Sequence, residues 1–596
     1  MQVIYKNKRL EKILIGVNAL VAALVTATFV MRFGFYEPLL PAWVLCAVQI
    51  VLLFALLAEK IVRLFNSVSK VEFTYANWFE IPLLLGLIVA VVGAGRWFGK
   101  AEPSIVRNLA MGVYLVLQVV TKLCRTSVNL AATGRSPMRT LIASFVVLIV
   151  AGAGLLMLPR SVTEGTESLS FVDALFTSTS ATCVTGLIVK DTGGDFSFMG
   201  QVIILALIQL GGLGIVVFGA VFALLLGQAL SLRESVAMQD LLSAQTLGRI
   251  GKMIAFIFGG TLVIEALGAI GMFGMWDDAA SWTGGPHEQW FCSIFHSISA
   301  FCNAGFSLFD NSMVGYNRHW GVYFVMAPLI ILGGLGFGVL FNLSNMGADR
   351  IKRFFKKLFS KKLRFSMEAP KRMRLQTKIV LSVSGLLIVA GTLAILVFER
   401  YAGVNSSGGK PDFLGALFQS ITARTAGFNT VDISKLSESS RFVLIAFMFV
   451  GGSPGSTAGG IKTVTLAVVV MTVVAALRKR QDVEMFRRSV RIVVVGRAIT
   501  VTLLFVLVLF GATLALSITE NGNVLSMSDI AFEAASALGT VGLSTGFTAS
   551  LTTAGKFIII AAMLIGRLGP LTLLAALTFN LKPVRYSYPD EAVIVG

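Results

Sequence analysis

Charged residues are scarce in this 596-residue chain: they make up 14% of it, against 56% hydrophobic residues. Soluble domains carry about 25% charged residues. Many apolar runs reach the roughly 20 residues that are needed to cross the hydrocarbon core of a bilayer. The composition therefore excludes an ordinary soluble protein and predicts an all-α polytopic membrane protein.

Motifs for metal, redox and nucleotide chemistry are missing as well. The chain has five cysteines and three histidines, with no CxxC and no HExxH, so neither a disulfide framework nor a zinc site is expected. His287, His296 and His319 are interpreted as interfacial or capping residues. No Walker motif, no GxGxxG after a strand and no phosphorylated-aspartate motif occurs. We therefore expect no cofactor bound by this chain and no ATP hydrolysis.

The positive charge is unevenly distributed. The net charge is +19, and residues 350–374 contain eleven Lys/Arg while residues 478–491 contain six. In a membrane protein such loops mark the cytoplasmic side, so we expect no nucleic acid partner. The alternative is a surface for anionic membrane lipid or an acidic partner. The basic N-terminus precedes an apolar run that we interpret as an uncleaved first span.

A segment built on an aromatic anchor and a glycine occurs four times. The copies are LFTSTSATCVTGL (175–187), IFHSISAFCNAGF (294–306), LFQSITARTAGF (417–428) and AFEAASALGTVGL (531–543). Their glycines, Gly186, Gly305, Gly427 and Gly542, are 119, 122 and 115 residues apart. About 25 residues after each comes a second glycine motif: QLGGLGI (209–215), ILGGLGF (331–337), FVGGSPG (449–455) and LIGRLGP (564–570). Coupled motifs at a fixed period indicate an internal repeat.

Each repeat is predicted to contain a first span, a short helix, a glycine loop and a second span. The first spans lie near 140–158, 253–275, 377–398 and 496–517. Four more spans, near 12–32, 40–63, 78–98 and 105–123, precede them, which gives twelve spans with both termini inside the cell. The predicted units are an N-terminal extension (1–134) and four pore repeats (135–250, 251–374, 375–490 and 491–596).

The short helices are too short to cross, so they must enter the membrane and return. Such re-entrant backbone survives only where it is buried in protein or lines a water-filled cavity. Backbone carbonyls can replace the hydration shell of a monovalent cation, and glycine permits the close backbone approach that this needs. Four loops around one axis would therefore form an ion-selective filter. The alternative, that the glycines only permit tight helix packing, is favoured for Gly211, Gly212, Gly333 and Gly334.

The motifs TARTAGFNT, FCNAGF, GGSPGSTAGGIK and IGRLGPLT resemble those of the Trk/Ktr/HKT superfamily of potassium transporters, and most closely the TrkH/KtrB-type bacterial membrane subunits. The resemblance implies four pseudo-symmetric M1–pore helix–M2 repeats around a central pore, with K⁺ as the permeant ion. It also implies the filter residues, which are Thr182, Cys183, Val184, Thr185, Gly186, Cys302, Asn303, Ala304, Gly305, Thr425, Ala426, Gly427, Thr540, Val541 and Gly542. All four filter glycines are present, which in this family favours K⁺ over Na⁺.

The segment GGSPGSTAGGIKT (451–463) has too much glycine and proline for a continuous helix. A phosphate-binding loop is excluded because Ile461 separates Gly460 from Lys462. The resemblance implies an intramembrane gate, with a static kink as the alternative. The predicted gate residues are Gly451, Gly452, Ser453, Pro454, Gly455, Ser456, Thr457, Ala458, Gly459, Gly460, Lys462 and Arg567.

Four further charges fall at membrane depth, where ionisable residues usually have a function and a partner. For Arg567 the resemblance implies an electrostatic barrier below the filter, with a structural ion pair as the alternative. Arg424 and Glu533 are expected to brace the filter from behind, and Glu265 to pair with a hydroxyl or a basic side chain.

These expectations together predict K⁺ uptake across the plasma (inner) membrane, driven by the membrane potential. Na⁺ or non-selective cation transport is the first alternative. A membrane-embedded enzyme is the second, but the spans lack the clustered Asp, His or Ser that it would need. The resemblance further implies a homodimer on a cytoplasmic nucleotide-binding regulatory subunit of the RCK/TrkA/KtrA type.

Overall fold

The structure is a computed structural model. It describes residues 6–37, 39–76, 114, 137–165, 168–214, 250–276, 286–359, 371–401, 411–520, 526–570 and 574. The third and fourth predicted N-terminal spans lie outside the described residues, apart from the helical Tyr114.

Helices make up nearly all of the regular structure. The N-terminal helices are α1 (Lys8–Phe33), α2 (Ala42–Asn66) and α3 (Lys70–Ala76). Repeats 1 and 2 contain α4 (Pro137–Leu156), α5 (Phe171–Cys183), α6 (Phe198–Leu213), α7 (Ile250–Met272), α8 (Pro286–Cys302), α9 (Ala327–Leu335, preceded by a π-helical turn over Val322–Met326) and α10 (Phe337–Phe359). Repeats 3 and 4 contain α11 (Leu375–Tyr401), α12 (Phe413–Thr422), α13 (Glu438–Phe449), α14 (Thr463–Leu477), α15 (Ile492–Thr519), α16 (Met527–Gly539) and α17 (Thr553–Leu568).

The predicted first spans of all four repeats are helices, namely α4, α7, α11 and α15. Among the described residues, five helices are long and apolar enough to cross a membrane: α1, α2, α7, α11 and α15. Helices α9 and α10 would count as a sixth span, but they are bent by 105° at Gly336. The membrane class that the composition predicts is therefore confirmed.

The four short helices α5, α8, α12 and α16 contain 13, 17, 10 and 13 residues. All are below the length of about 20 residues that a span needs. A side chain caps the N-terminus of three of them: Ser170 accepts from the Asp173 amide, Asp412 from Gly415 and Ser526 from Asp529. Such a cap contributes about 1 kcal/mol, and it fixes where each short helix begins.

In every repeat a helix ends at the second glycine motif. Helices α6, α9 and α17 stop one residue before a glycine with positive φ: Gly214 at 82°, Gly336 at 87° and Gly569 at 83°. In repeat 3 an irregular segment separates α13 from α14, as the glycine and proline content predicts. Glycine is suited to these stops because it adopts left-handed backbone without a Cβ penalty.

Apolar clusters join neighbouring repeats. The largest contains Phe301 and Ile208 from repeats 2 and 1 together with Phe428 from repeat 3. Smaller clusters join repeat 1 to repeat 4 and repeat 3 to repeat 4. The repeats are thus packed side by side in a closed arrangement.

Helices α1 and α2 form an antiparallel pair that attaches to repeat 1. Glu59 accepts from Asn18 at 3.1 Å and pairs with Arg63 at 2.6 Å inside the pair. The Tyr36 hydroxyl donates to the Val162 carbonyl at 2.9 Å. This contact joins the loop after α1 to the first repeat.

The basic segment 478–491 contains a small hairpin that its sequence did not predict. Strands β1 (Val483–Met485) and β2 (Arg488–Val490) pair antiparallel. The turn residues Phe486 and Arg487 both have positive φ, at 49° and 61°, as a two-residue hairpin turn requires. Glycine or asparagine usually marks such turns, and neither is present here.

Candidate functional site

The four glycine loops meet one another in a closed ring. A methyl group added to each first-motif glycine would strike the backbone of the next repeat in chain order, and in repeat 4 the backbone of repeat 1. The glycine and the carbonyl it faces are Gly186 and Ala304, Gly305 and Ala426, Gly427 and Val541, and Gly542 and Thr185. The repeats are therefore ordered 1-2-3-4 around one axis, and any side chain at these glycines would displace a neighbouring loop.

The backbone of each loop has the same unusual shape. In every loop a non-glycine residue has positive φ, and two residues later the glycine does too. The pairs are Val184 at 58° with Gly186 at 95°, Asn303 at 60° with Gly305 at 71°, Thr425 at 79° with Gly427 at 83°, and Thr540 at 52° with Gly542 at 92°. Left-handed backbone at non-glycine residues is uncommon and clusters at functional sites. The conformation is thus shared by repeats whose sequences in this stretch differ.

In repeat 3 the anchor phenylalanine and the filter glycine, Phe418 and Gly427, are nine residues apart, against ten in the other repeats. The ends of the short helices account for this difference. In repeats 1, 2 and 4 the first left-handed residue closes the helix by donating to a carbonyl three residues back, as Val184 donates to Ala181 at 3.1 Å. Helix α12 ends at Thr422, and Ala426 donates back to the Thr422 carbonyl at 2.9 Å. Repeat 3 thus reaches the same ring position with a shorter segment between anchor and glycine.

Several polar groups of the loops lack a protein partner. Within the described part of the chain, the buried hydroxyls of Thr182, Thr185 and Thr540 have no hydrogen-bond partner. The Asn303 amide is satisfied when its nitrogen donates to the carbonyls of Ala300 and Ile330, at 3.0 and 3.1 Å. Unpaired buried hydroxyls are costly, so these three are available to water or to an ion.

Residues 451–462 form a loop between α13 and α14, and the two ends of this loop lie next to each other. The Gly451 amide donates to the Ile461 carbonyl at 3.0 Å, and the Thr463 amide donates to Gly452 at 3.1 Å. Gly455 and Gly460 have positive φ, at 70° and 64°. We call residues 451–462 the glycine-rich loop.

The glycine-rich loop packs against the ends of the short helices. The Thr457 hydroxyl donates to the Phe301 carbonyl at 3.3 Å, at the end of α8. Gly459 faces the Thr540 side chain, and the Phe337 amide donates to the Gly455 carbonyl at 2.9 Å. The remaining predicted gate residues Ser453, Pro454, Ser456 and Ala458 lie in the same loop. The structure thus brings the loop against the ring from one side.

Two cations hold this loop. The Arg567 guanidinium donates to the carbonyls of Thr457 and Gly211, and so joins the loop to repeat 1. The Lys462 ammonium donates to the Ala458 carbonyl at 2.7 Å. Among the described residues Arg567 has no carboxylate partner, so the structural ion pair stays an untested alternative.

Glycines of the second motif permit close packing, as the sequence favoured. A Cβ at Gly211 would strike the Thr182 carbonyl, and one at Gly333 would strike the Phe301 carbonyl. Gly212 lies against the Cys302 side chain and Gly334 against Asn303. These glycines therefore allow the second spans to touch the backbone just before the ring.

A serine contact that the sequence reading missed attaches the short helices to the first spans. The hydroxyls of Ser178, Ser297 and Ser420 donate to the carbonyls of Ile149, Glu265 and Ile388, at 2.7, 2.6 and 2.8 Å. Each serine also lies against a glycine of the first span, Gly152, Gly268 or Gly391. The signal was a serine two residues after the anchor phenylalanine of repeats 1 to 3 (Phe176, Phe295 and Phe418); repeat 4 has Ala534 at this position, after Phe532.

The structure corrects two interpretations of single residues. The Glu265 carboxylate accepts from the Gln209 amide at 3.1 Å and from the Cys302 thiol at 3.9 Å, instead of from a hydroxyl or a basic side chain. His296 is fully buried beside the ring, so the interfacial or capping interpretation is wrong for it. Its signal was a polar residue directly after the anchor phenylalanine.

Arg424 and Glu533 both lie outside the ring. Arg424 is buried and lines a small cavity with Ser384 and Gly452, so it faces the glycine-rich loop. The Glu533 carboxylate accepts from the hydroxyls of Ser544 and Thr548, which follow the glycine of repeat 4. The contacts of Glu533 agree with the expected support of its loop from behind, whereas for Arg424 that support stays a prediction.

Comparison with known proteins gives concordant matches. The family model described as "TrkH: Cation transport protein" matches residues 106–583. The chain is 36% identical over 464 residues to the Ktr system potassium uptake protein B of Bacillus subtilis, covering 77% of this chain and 97% of that protein. It is 34% identical over 465 residues to the potassium/sodium uptake protein NtpJ of Enterococcus hirae, covering 77% and 97%.

A solved structure agrees in fold. The crystal structure of the potassium transporter TrkH from Vibrio parahaemolyticus superposes with a TM-score of 0.58 at 20% identity, covering 84% of this chain and 96% of that one. Helices α1 and α2 precede the residues that the family model matches. From residue 106 onward, the chain belongs to the TrkH family of cation transport proteins.

Proposed function

We propose that this protein takes up K⁺ through the ring of glycine loops, whose backbone carbonyls replace the hydration shell of the ion. The observation that carries the proposal is the ring itself, in which each glycine faces the carbonyl of the neighbouring loop. Carbonyl rings of this kind conduct cations without a fixed charge that would trap them. The names of the relatives, which specify potassium uptake, support K⁺ as the ion.

Electrostatics favour a cation at the ring axis. Helices α5, α8 and α16 end next to the loops, so the negative ends of their dipoles are directed there. The ring contains no acidic side chain that could hold the ion too tightly.

The glycine-rich loop is the proposed gate. It lies against the ring from one side, and its small side chains lose little packing when it moves. Arg567 holds it to repeat 1 through the carbonyls of Thr457 and Gly211. In this arrangement Arg567 both closes the path and places a positive charge on it.

The membrane potential supplies the driving force. One elementary charge gains about 2.3 kcal/mol per 100 mV, so an inside-negative potential accumulates K⁺ without nucleotide hydrolysis. The basic segments near 350–374 and 478–491 place both termini in the cytoplasm by the positive-inside rule. The proposed location is the plasma (inner) membrane.

The same basic segments are the proposed docking surface for a cytoplasmic nucleotide-binding regulatory subunit, with the transporter as a homodimer. The relatives belong to a "Ktr system", a name that indicates more than one component. Anionic membrane lipid is the other proposed contact of these segments.

Sodium or non-selective cation transport is the second candidate, because one relative is named a potassium/sodium uptake protein. Uptake of K⁺ in competition with Na⁺ separates the two. Gly186→Ser adds a side chain that strikes the Ala304 carbonyl. If the ring selects K⁺, this variant shows a weaker preference for K⁺ than wild type. If the protein is non-selective, the variant and wild type show the same lack of preference.

The test of the proposal is growth of a K⁺-uptake-deficient bacterium at low external K⁺. Wild type restores growth, and Gly427→Ala does not, because its Cβ strikes the Val541 carbonyl at a φ of 83°. Gly385→Ala is the matched control, since its Cβ meets nothing within 4 Å. Wild type that fails to restore growth, or Gly427→Ala that restores it fully at equal membrane abundance, contradicts the proposal.

A further inference from the structure

The residue after each anchor phenylalanine is polar and fully buried in all four repeats. These residues are Thr177, His296, Gln419 and Glu533, with exposures of 1% or less. Burial of a polar side chain is costly unless it is hydrogen-bonded. What each of them contacts therefore shows why a polar residue is there.

In repeat 2 this residue holds the chain that follows the ring. The Leu308 amide donates to Nε2 of His296 at 3.3 Å, and the Ser307 hydroxyl lies 3.2 Å from the same nitrogen. Because Nε2 accepts from an amide, the proton of the neutral ring is on Nδ1. Nδ1 donates to the Cys292 carbonyl at 2.8 Å, one turn earlier on α8.

The imidazole is fixed between aromatic rings. Phe309 stacks on it with ring centroids 5.2 Å apart and an interplanar angle of 12°. Trp276 packs at 4.8 Å, and its indole nitrogen donates to the Ser293 hydroxyl on α8 at 2.8 Å. The acceptor at Nε2 is thus held at one position relative to the helix.

Repeat 4 has the same arrangement with different chemistry. Glu533 follows the anchor phenylalanine, and its carboxylate accepts from Ser544. Ser544 lies two residues after Gly542, as Ser307 lies two residues after Gly305. In repeat 1 the corresponding residue is Ile188. In repeat 3 the Gln419 side-chain amide has no hydrogen-bond partner within the described residues.

We propose that His296 is a positioning residue that sets ion selectivity: with Glu533 in the opposite repeat, it fixes the two facing loops of the ring from behind. Repeats 2 and 4 face each other because the ring is ordered 1-2-3-4. The inference rests on the proposed function. The selectivity of a carbonyl ring depends on the number and placement of its oxygens, and His296 holds the chain two and three residues from Gly305.

The experiment compares initial uptake of K⁺ and Na⁺ at equal concentrations in cells that produce the full chain. His296→Leu removes the acceptor and leaves the Leu308 amide and the Ser307 hydroxyl buried without it. The K⁺/Na⁺ uptake ratio falls about three- to tenfold, which is the factor that corresponds to the free energy of one hydrogen bond. His296→Gln retains an acceptor at a similar reach and recovers much of the ratio.

Gln419→Leu is the matched control. It removes a buried polar group at the same repeat position, and this group makes no hydrogen bond to any described residue. The K⁺/Na⁺ uptake ratio of this variant stays near wild type. Ser307→Ala tests the same contact from the other side, and lowers the ratio in the same direction even where His296→Leu fails to fold. Folded protein is measured by size-exclusion chromatography after extraction. A simple structural role would lower protein abundance and leave the ratio unchanged.

Two results overturn the inference while leaving K⁺ uptake intact. In the first, wild type is selective, and both His296→Gln and Ser307→Ala keep the wild-type K⁺/Na⁺ uptake ratio. His296→Leu then either folds and keeps that ratio or does not fold. In the second, Gln419→Leu lowers the K⁺/Na⁺ uptake ratio as far as His296→Leu does. A wild type that takes up no K⁺ refutes the proposed function instead, and the inference falls with it.

Discussion

Two substitutions of Arg567 test the proposed gate, because they separate the effect of the Arg567 charge from the effect of its hydrogen bonds. The guanidinium bridges the Thr457 carbonyl of the glycine-rich loop and the Gly211 carbonyl of repeat 1. Arg567→Gln removes the charge and the bridge together. Arg567→Lys keeps the charge, but a single ammonium cannot reproduce the planar fork that serves both carbonyls.

The magnitude follows from the bond to the loop. A hydrogen bond to a charged group contributes about 1.5–3 kcal/mol, so losing the bond to Thr457 shifts the closed-to-open equilibrium about tenfold to a hundredfold. Flux at a fixed potential rises by up to that factor in Arg567→Gln. If the bridge matters, Arg567→Lys also rises, though less.

The assay is the initial rate of K⁺ flux into proteoliposomes at a clamped potential, normalised to the amount of folded protein. If Arg567 acts only as an electrostatic barrier, Arg567→Lys matches wild type while Arg567→Gln is faster. If both variants are at or below the wild-type rate, the proposed role of Arg567 in closing the loop is refuted.

Two contacts between elements give further predictions. Lys556 and Asp173 pair at 2.6 Å between repeats 4 and 1, each about one-sixth exposed; Lys556→Met and Asp173→Asn each lower the apparent thermal unfolding midpoint, with a coupling of about 1 kcal/mol in the double variant. Additive losses would show that the pair is not coupled. Gly391→Ala places a Cβ on the Ser420 hydroxyl and lowers the same midpoint through overpacking of about 1–3 kcal/mol. Adding Ser420→Ala recovers part of it, because the overlap with the hydroxyl is removed while the bond from Ser420 to the Ile388 carbonyl is lost; no recovery would contradict the overlap.

Repetition made the architecture predictable from the sequence. A single glycine after a short apolar helix is ambiguous, but Gly186, Gly305, Gly427 and Gly542 recur with a second motif at a fixed distance. The physical constraint on backbone at membrane depth then indicated that the loops face a common axis. The ring in the structure has this arrangement.

Features that depend on tertiary partners were not predictable in the same way. His296 was misinterpreted because nothing near it in sequence shows that the chain two residues past Gly305 folds back onto it. The partners of Glu265, which are Gln209 and Cys302, come from two other segments of the chain. The turn at Phe486 and Arg487 lacks the usual turn residues, so its local sequence carried no hairpin signal.

The central claim is that backbone oxygens of four loops replace the water around a permeating K⁺. Anomalous diffraction from crystals of the full chain grown in Rb⁺, which has nearly the size of K⁺, tests it most directly. The account predicts a peak on the ring axis, between the carbonyls of Thr185, Ala304, Ala426 and Val541. An axis without a peak, while Rb⁺ occupies another site in the membrane region, would contradict it.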